Sequence, residues 1–342
     1  MATTTPAQSW SPARRLRWYT AIASTVLVGL ATWSLCTGAP TLTPWQVLDL
    51  ARHDDGSIAH VVLVELRIPR LILATAAGAT LGIAGAALQP ALQNPLAGPE
   101  LTGVAAGASL AVAAITVLDI DLPAAVTPLV AAAAGLAAGL VVITVTRAVA
   151  DPIRMALAGA AIAAILNALL IGVLTLGTAS DATSLYQYLV GSLIDRRWHQ
   201  VRVALPGMLI GSVVLAAAAA PINTLRLGDA AASSVGAKPV RVRIVALAAV
   251  ALGTAGVVAA AGPIGFVALA VPHGVRRLLG DHDVRRIVAA SALSGAVTLV
   301  AADLLARLVV APRELPVGLF TVLLGAPVAV AVGRARTSAT NP

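Results

Sequence analysis

The feature that most constrains this chain is a succession of ten apolar runs, with charge confined almost wholly to the stretches between them. Bounded by charged residues or Pro/Gly breaks, the runs lie at about 18–38, 63–89, 101–118, 123–149, 154–176, 203–222, 240–261, 264–279, 284–308 and 315–334. Crossing a hydrocarbon core of about 30 Å takes roughly 20 helical residues, which most of these runs supply. Lipid offers no partner to backbone N–H and C=O groups, so runs of this length span as helices. With 58% hydrophobic and 11% charged residues in 342, and a mean hydropathy of +0.91, a water-soluble domain would have far too little polar surface.

The expected fold is an all-α polytopic membrane protein of about ten transmembrane helices. It divides into an N-terminal tail (1–17), one transmembrane domain (18–334) containing a loop segment at 223–239, and a C-terminal tail (335–342). An even number of spans places both tails on one side. With the tails in the cytoplasm, inside loops hold 15 Lys and Arg residues and outside loops 8, the sense of the positive-inside rule. The net charge of +8 belongs to these short clusters, so no nucleic-acid partner is expected. The single cysteine, Cys36, lies in the first run, which is read as an uncleaved anchor and excludes a disulfide or a cysteine metal site within the chain.

Gly78 and Gly82, Gly103 and Gly107, and Gly135 and Gly139 have the small-xxx-small spacing that lets helix backbones approach. GIAG at 82–85 is echoed by GTAG at 253–256, each followed by a Gly-Pro turn, the kind of repeat that transporters use. The stretch GPIGFVALAVPH (262–273) is Pro-bounded and too short to span by itself, which suits a half-helix set against protein.

No P-loop, H-E-x-x-H, C-x-x-C or G-x-S-x-G motif occurs, so neither ATP hydrolysis nor another catalytic centre is expected in this chain. The acidic residues sit at run ends or between runs, with Asp303 about a turn and a half from one end. An ion-coupled secondary transporter usually keeps an ionisable group near the midplane. That rival class is therefore disfavoured, and the driving force is expected from another subunit. The 225–237 loop has room for a short helix over Asp229–Val235, with Gly228 before it and Gly236 as C-cap, either a docking element or a simple connector. Arg67 and Arg70 flank Pro69 where the second run begins. If the helix starts there, both oppose its macrodipole at some cost, and snorkelling or an acidic docking partner would offset it.

Five stretches follow one another along nearly the whole chain: RIPRLILATAAGATLGIAGAALQPALQNPLAGPELTGVAAG (67–107), LGDAAASSVGA (227–237), GPIGFVALAVPHGVRR (262–277), ADLLAR (302–307) and ELPVGLFTVLLGAP (314–327). Together they resemble the signatures of the iron-siderophore, haem and vitamin B12 ABC-importer permeases, the FecCD or BtuC-like family. The resemblance implies a BtuC-like bundle in the bacterial inner membrane. A second permease, identical or paralogous, two cytoplasmic ABC ATPases and an extracytoplasmic binding protein would be its partners. Ferric siderophores would be the substrates, with haem or cobalamin as alternatives. No cofactor or metal would be bound by this chain, ATP and Mg being used by the ATPase. It further implies that Arg67, Arg70 and Arg307 receive the binding protein, and that Leu227, Gly228, Asp229, Ala230, Ala231, Ser234 and Gly236 couple to the ATPase. Asn167, Leu319 and Thr321 are candidates to line the pathway, with a packed interhelical hydrogen bond as the alternative for Asn167, and the run at 264–279 becomes a short eighth helix of the scaffold. Pro90, Gly98 and Ala230 depart from the family pattern.

Overall fold

A computed structural model describes residues 11–123, 126–146, 151–178, 185 and 188–337, with side chains to residue 328. Its helices are α1 (Pro12–Cys36), α2 (Pro44–Leu50), α3 (Ile58–Val61), α4 (Ile68–Ala91), α5 (Val104–Val117), α6 (Thr127–Thr146), α7 (Pro152–Leu174), α8 (Trp198–Ala217), α9 (Ala219–Thr224), α10 (Asp229–Ser234), α11 (Pro239–Ala261), α12 (Val267–Leu279), α13 (Val284–Leu308) and α14 (Val317–Thr337). Each of the ten expected runs has its helix. Among the described residues, seven segments are long and apolar enough to cross a membrane, and α5, α12 and the apolar part of α14 are shorter. The ends of the run expected at 123–149, Asp181 and most of both tails lie outside the described residues.

Local chemistry sets the helix starts. Pro12, Pro44, Pro152 and Pro239 occupy first-turn positions, where the missing N–H costs nothing. Ser11, Thr43, Asp151 and Asp283 accept first-turn N–H groups through their side chains.

The second span differs from the expectation. It starts upstream of both the 63–89 run and Pro69, running unbroken over Ile58–Ala91 with a π-helical stretch at Val62–Arg67. In that stretch Ile68 N–H bonds Leu63 O, five residues back. The next such bond would join Pro69 to Val64, but proline has no N–H. Trp198 Nε1 donates to Val64 O instead, at 2.9 Å, and so pins the start of α8 to this wide turn. Arg67 and Arg70 therefore lie inside a helix, and the macrodipole cost inferred from an N-terminal placement does not arise.

The core is built around α4 and α11, whose most apolar windows are 72% and 78% buried, against 6% for α1 and α7. α4 packs on α13, α8, α12 and α11. At the α4–α13 crossing the backbones nearly touch: a Cβ on Gly78 would lie 2.3 Å from Gly295 O. The echoed GIAG and GTAG motifs thus fall on the two most buried spans. α12 has 13 residues and follows Phe266, whose φ of 66° marks a sharp turn. Pro272 leaves Ala268 O without its helical donor. Gln89 of α4 fills the gap, with Nε2 3.2 Å from Ala268 O and 3.3 Å from Leu269 O.

Candidate functional site

Two opposite faces of the bundle carry the polar chemistry. On the face where α1 ends, Arg67 and Arg70 come together with Arg307, which is far away in sequence on α13. Arg67 is only 7% exposed; it donates to Leu35 O (2.8 Å) and Pro40 O (2.6 Å), with Gly38 turned over its guanidinium at a φ of +122°. Arg70 reaches across to α13, its Nε 3.0 Å from Asp303 Oδ1 and its Nη2 2.9 Å from the same oxygen. Its Nη1 lies 2.7 Å from Glu314. Arg307, one turn on from Asp303, approaches Asp303 Oδ2 at 3.5 Å and donates to the backbone and hydroxyl of Ser34.

Asp303 is thus a buried hub, 2% exposed, between two arginines from different helices. The partners that hold Arg67 and Arg70 are internal, carbonyls for one and carboxylates for the other. Together they form the wall of a cavity of about 740 Å³, which Arg196, Asp195 and Glu314 also line. Four guanidiniums against two lining carboxylates leave it basic. Arg196 stands in the loop before α8, donating to Ser192 O at 3.4 Å. Burial, partly offset by Tyr188 and Asp195, pulls its pKa below the ordinary arginine value.

On the opposite face, where α1 begins, α10 projects from the bundle with Gly228 before it and Gly236 behind it at a φ of +84°. Leu227 and Val235, at its two ends, are 70% and 67% exposed. Ala230, Ser234 and Gly236 are also exposed, Ala231 and Gly228 partly so. Asp229 anchors the segment. Its two oxygens receive Arg243 Nη1 and Nη2 at 2.7 and 2.6 Å, while Arg243 Nε donates to Ala91 O at 2.8 Å. Arg243 is fully buried, and that carboxylate offsets its charge. The bond to Arg243 lowers the Asp229 pKa below its ordinary value. Gln93 adds a second tie from the end of α4, Nε2 to Leu225 O at 3.0 Å.

The pathway candidates do not share one environment. Asn167 is exposed on α7 and Leu319 is 41% exposed on α14, whereas Thr321 is 2% exposed and donates to Gly318 O. His60 is half-buried and bonds Leu50 O through Nδ1 at 2.9 Å. Sequence reasoning missed the hub role of Asp303 and the Arg243 anchor. The four-residue spacing of Asp303 and Arg307 on one helix was a usable signal for the first. Arg243 showed only as one of several loop-side charges.

The profile of the FecCD transport family matches residues 26–334. The chain belongs to this family. It is 40% identical over 302 residues to the Fe(3+) dicitrate transport system permease protein FecD of Escherichia coli, covering 88% of this chain and 93% of that protein. It is 37% identical to the hemin transport system permease protein HmuU of Yersinia pestis, covering 88% and 91%. The cobalamin import system permease protein BtuC of Halobacterium salinarum is also 37% identical, with coverage of 83% and 78%. Among solved structures, an inward-facing metal-chelate type ABC transporter shares the fold, with a TM-score of 0.81 and 23% identity over 93% of this chain and 99% of that one. This FecCD chain is a multi-pass membrane permease subunit of the ABC-importer kind, a transport component by family rather than a catalyst.

Proposed function

We propose that the chain is the permease of a binding-protein-dependent importer of ferric siderophores and related iron chelates, acting as one transmembrane domain with both termini in the cytoplasm. A second permease, two ABC ATPases that use ATP and Mg, and an extracytoplasmic binding protein complete the transporter. The chain itself contributes the pathway and binds no cofactor.

The observation that carries the reading is α10, a two-turn helix too polar to insert, held on the bundle by a buried arginine while Leu227 and Val235 stay exposed. Displacing it pulls on α11 through Arg243 and on α4 through Ala91 and Gln93, so a nucleotide-driven movement of the ATPase would reach the two most buried spans. On the other face Arg67, Arg70 and Arg307 frame a basic cavity suited to acidic side chains of a binding protein. The 40% identity to an iron-dicitrate permease favours an iron chelate.

The test is uptake into proteoliposomes containing the permease, its ATPase and its binding protein, offered radiolabelled ferric siderophore, ferric citrate, haem and cobalamin. ATP-dependent accumulation of an iron chelate supports the proposal. Haem or cobalamin uptake alone replaces the substrate, and ion-driven uptake by the permease by itself overturns the mechanism.

A further inference from the structure

On the α10 face, Arg226 and Arg276 open onto one cleft of about 270 Å³ between α4, α12 and the start of α13, with Gln89, Gln93, Asn94 and His282 among its other walls. What holds each arginine is unusual for a partly enclosed charge. Gln89 Nε2 is committed to Ala268 O and Leu269 O, carbonyls beside the Pro272 break, and this turns its Oε1 toward Arg276, which donates to it. Arg226 donates to Asn223 Oδ1 at 3.4 Å and to His282 O. All three acceptors are neutral. They fix the guanidiniums without cancelling their charge.

The acidic residues nearby are already engaged. Asp283 pairs with Arg285 at 3.1 Å, and Asp281 with Arg286 at 2.5 Å. Among the described residues no carboxylate lies within ion-pair distance of Arg226 or Arg276. Two like charges face one cleft with most of their ten N–H donors free, and an oxyanion presented to them would meet paired donors from two directions. The Arg67 face differs, since Arg70 and Arg307 there share carboxylates.

We infer that this cleft binds a phosphate group, free or on a lipid headgroup, clamped between Arg226 and Arg276. Bound there, the phosphate would join the 225–227 turn just before α10 to α12, and through Gln89 to α4. The inference is independent of the transport reading, because it rests only on the cleft.

The full-length chain, delipidated in a neutral detergent, is titrated with inorganic phosphate and separately with phosphatidylglycerol, against sodium chloride at matched ionic strength. Thermal unfolding is the readout. A saturable rise in midpoint is expected with at least one phosphate source, with affinity roughly tenfold weaker in R226Q and in R276Q. R277Q removes the same charge from an exposed neighbour outside the cleft and should leave affinity unchanged. A response to inorganic phosphate assigns a free anion, and a response to phosphatidylglycerol alone assigns a lipid headgroup. No rise beyond chloride, affinity unchanged in R226Q, or an equal loss in R277Q overturns the inference. Arg226 is exposed, so R226Q decides the matter even where R276Q fails to fold.

Discussion

Asp303 and Asp229 do opposite kinds of work with the same carboxylate. Asp303 is buried between Arg70 and Arg307, so neutralising it leaves two largely buried guanidiniums short of a partner. Asp303→Asn should lower stability by about 3 kcal/mol or more, read as an unfolding midpoint in detergent. The D303N/R70Q double variant should cost less than the sum of its singles, because the charge left stranded by one change is removed by the other. Asp229 is partly open to solvent on one side and bonded to Arg243 on the other. Its folded pKa is depressed, so the stability it contributes is fully present above the unfolded value near 3.8 and is lost as pH falls through the folded value. Hydrogen exchange over 229–236 should therefore stay level from neutral pH to about pH 5, after correction for intrinsic rates, and rise only in stronger acid. In Asp229→Asn it should be fast throughout.

At the scale of helices, the α4–α13 crossing is the contact least able to absorb a side chain. A methyl on Gly78 would meet Gly295 O at 2.3 Å and Leu299 Cβ at 2.9 Å, neither of which is the free end of a flexible chain. Gly78→Ala should cost about 1–3 kcal/mol through forced separation of the two helices. Gly172→Ala, where nothing lies within 4 Å, should be neutral or slightly favourable in the same unfolding assay. The Gly78/Gly82 spacing made this approach legible in the sequence, as run length made the spans legible. What stayed hidden depended on long-range partners. Pro69 looked like a helix start because the donor that replaces its missing N–H is an indole 134 positions beyond the Val64 carbonyl it reaches. Gln89 looked like any polar residue near a helix end, since the carbonyls it satisfies lie beside Pro272, on another helix. Asp303 sits close enough to its span end to pass for a surface charge until Arg70 is placed opposite it.

Across the whole molecule burial is uneven, and α7 is the clearest case. Met155, Gly159 and Leu170 form the stripe that packs, while Leu157, Ile165, Leu169 and Ile171 are all more than half exposed. For a membrane chain such a surface meets lipid, a second subunit or an aqueous pathway. Asn167 discriminates among these, because it is exposed and has no hydrogen bond among the described residues. An amide left unpaired in hydrocarbon costs several kcal/mol, so its side of α7 fits a partner or water better than lipid. Ile165, two residues back, is turned away from it by about 200° and gives an internal comparison. In a Cys36→Ser background, Asn167→Cys in the assembled transporter should react several-fold faster than Ile165→Cys with a charged, membrane-impermeant thiol reagent. Protection of Asn167→Cys with formation of a permease–permease disulfide would instead place this side of α7 at the contact between permeases. Equal inertness of both positions, without cross-linking, would assign it to lipid and remove Asn167 from the pathway.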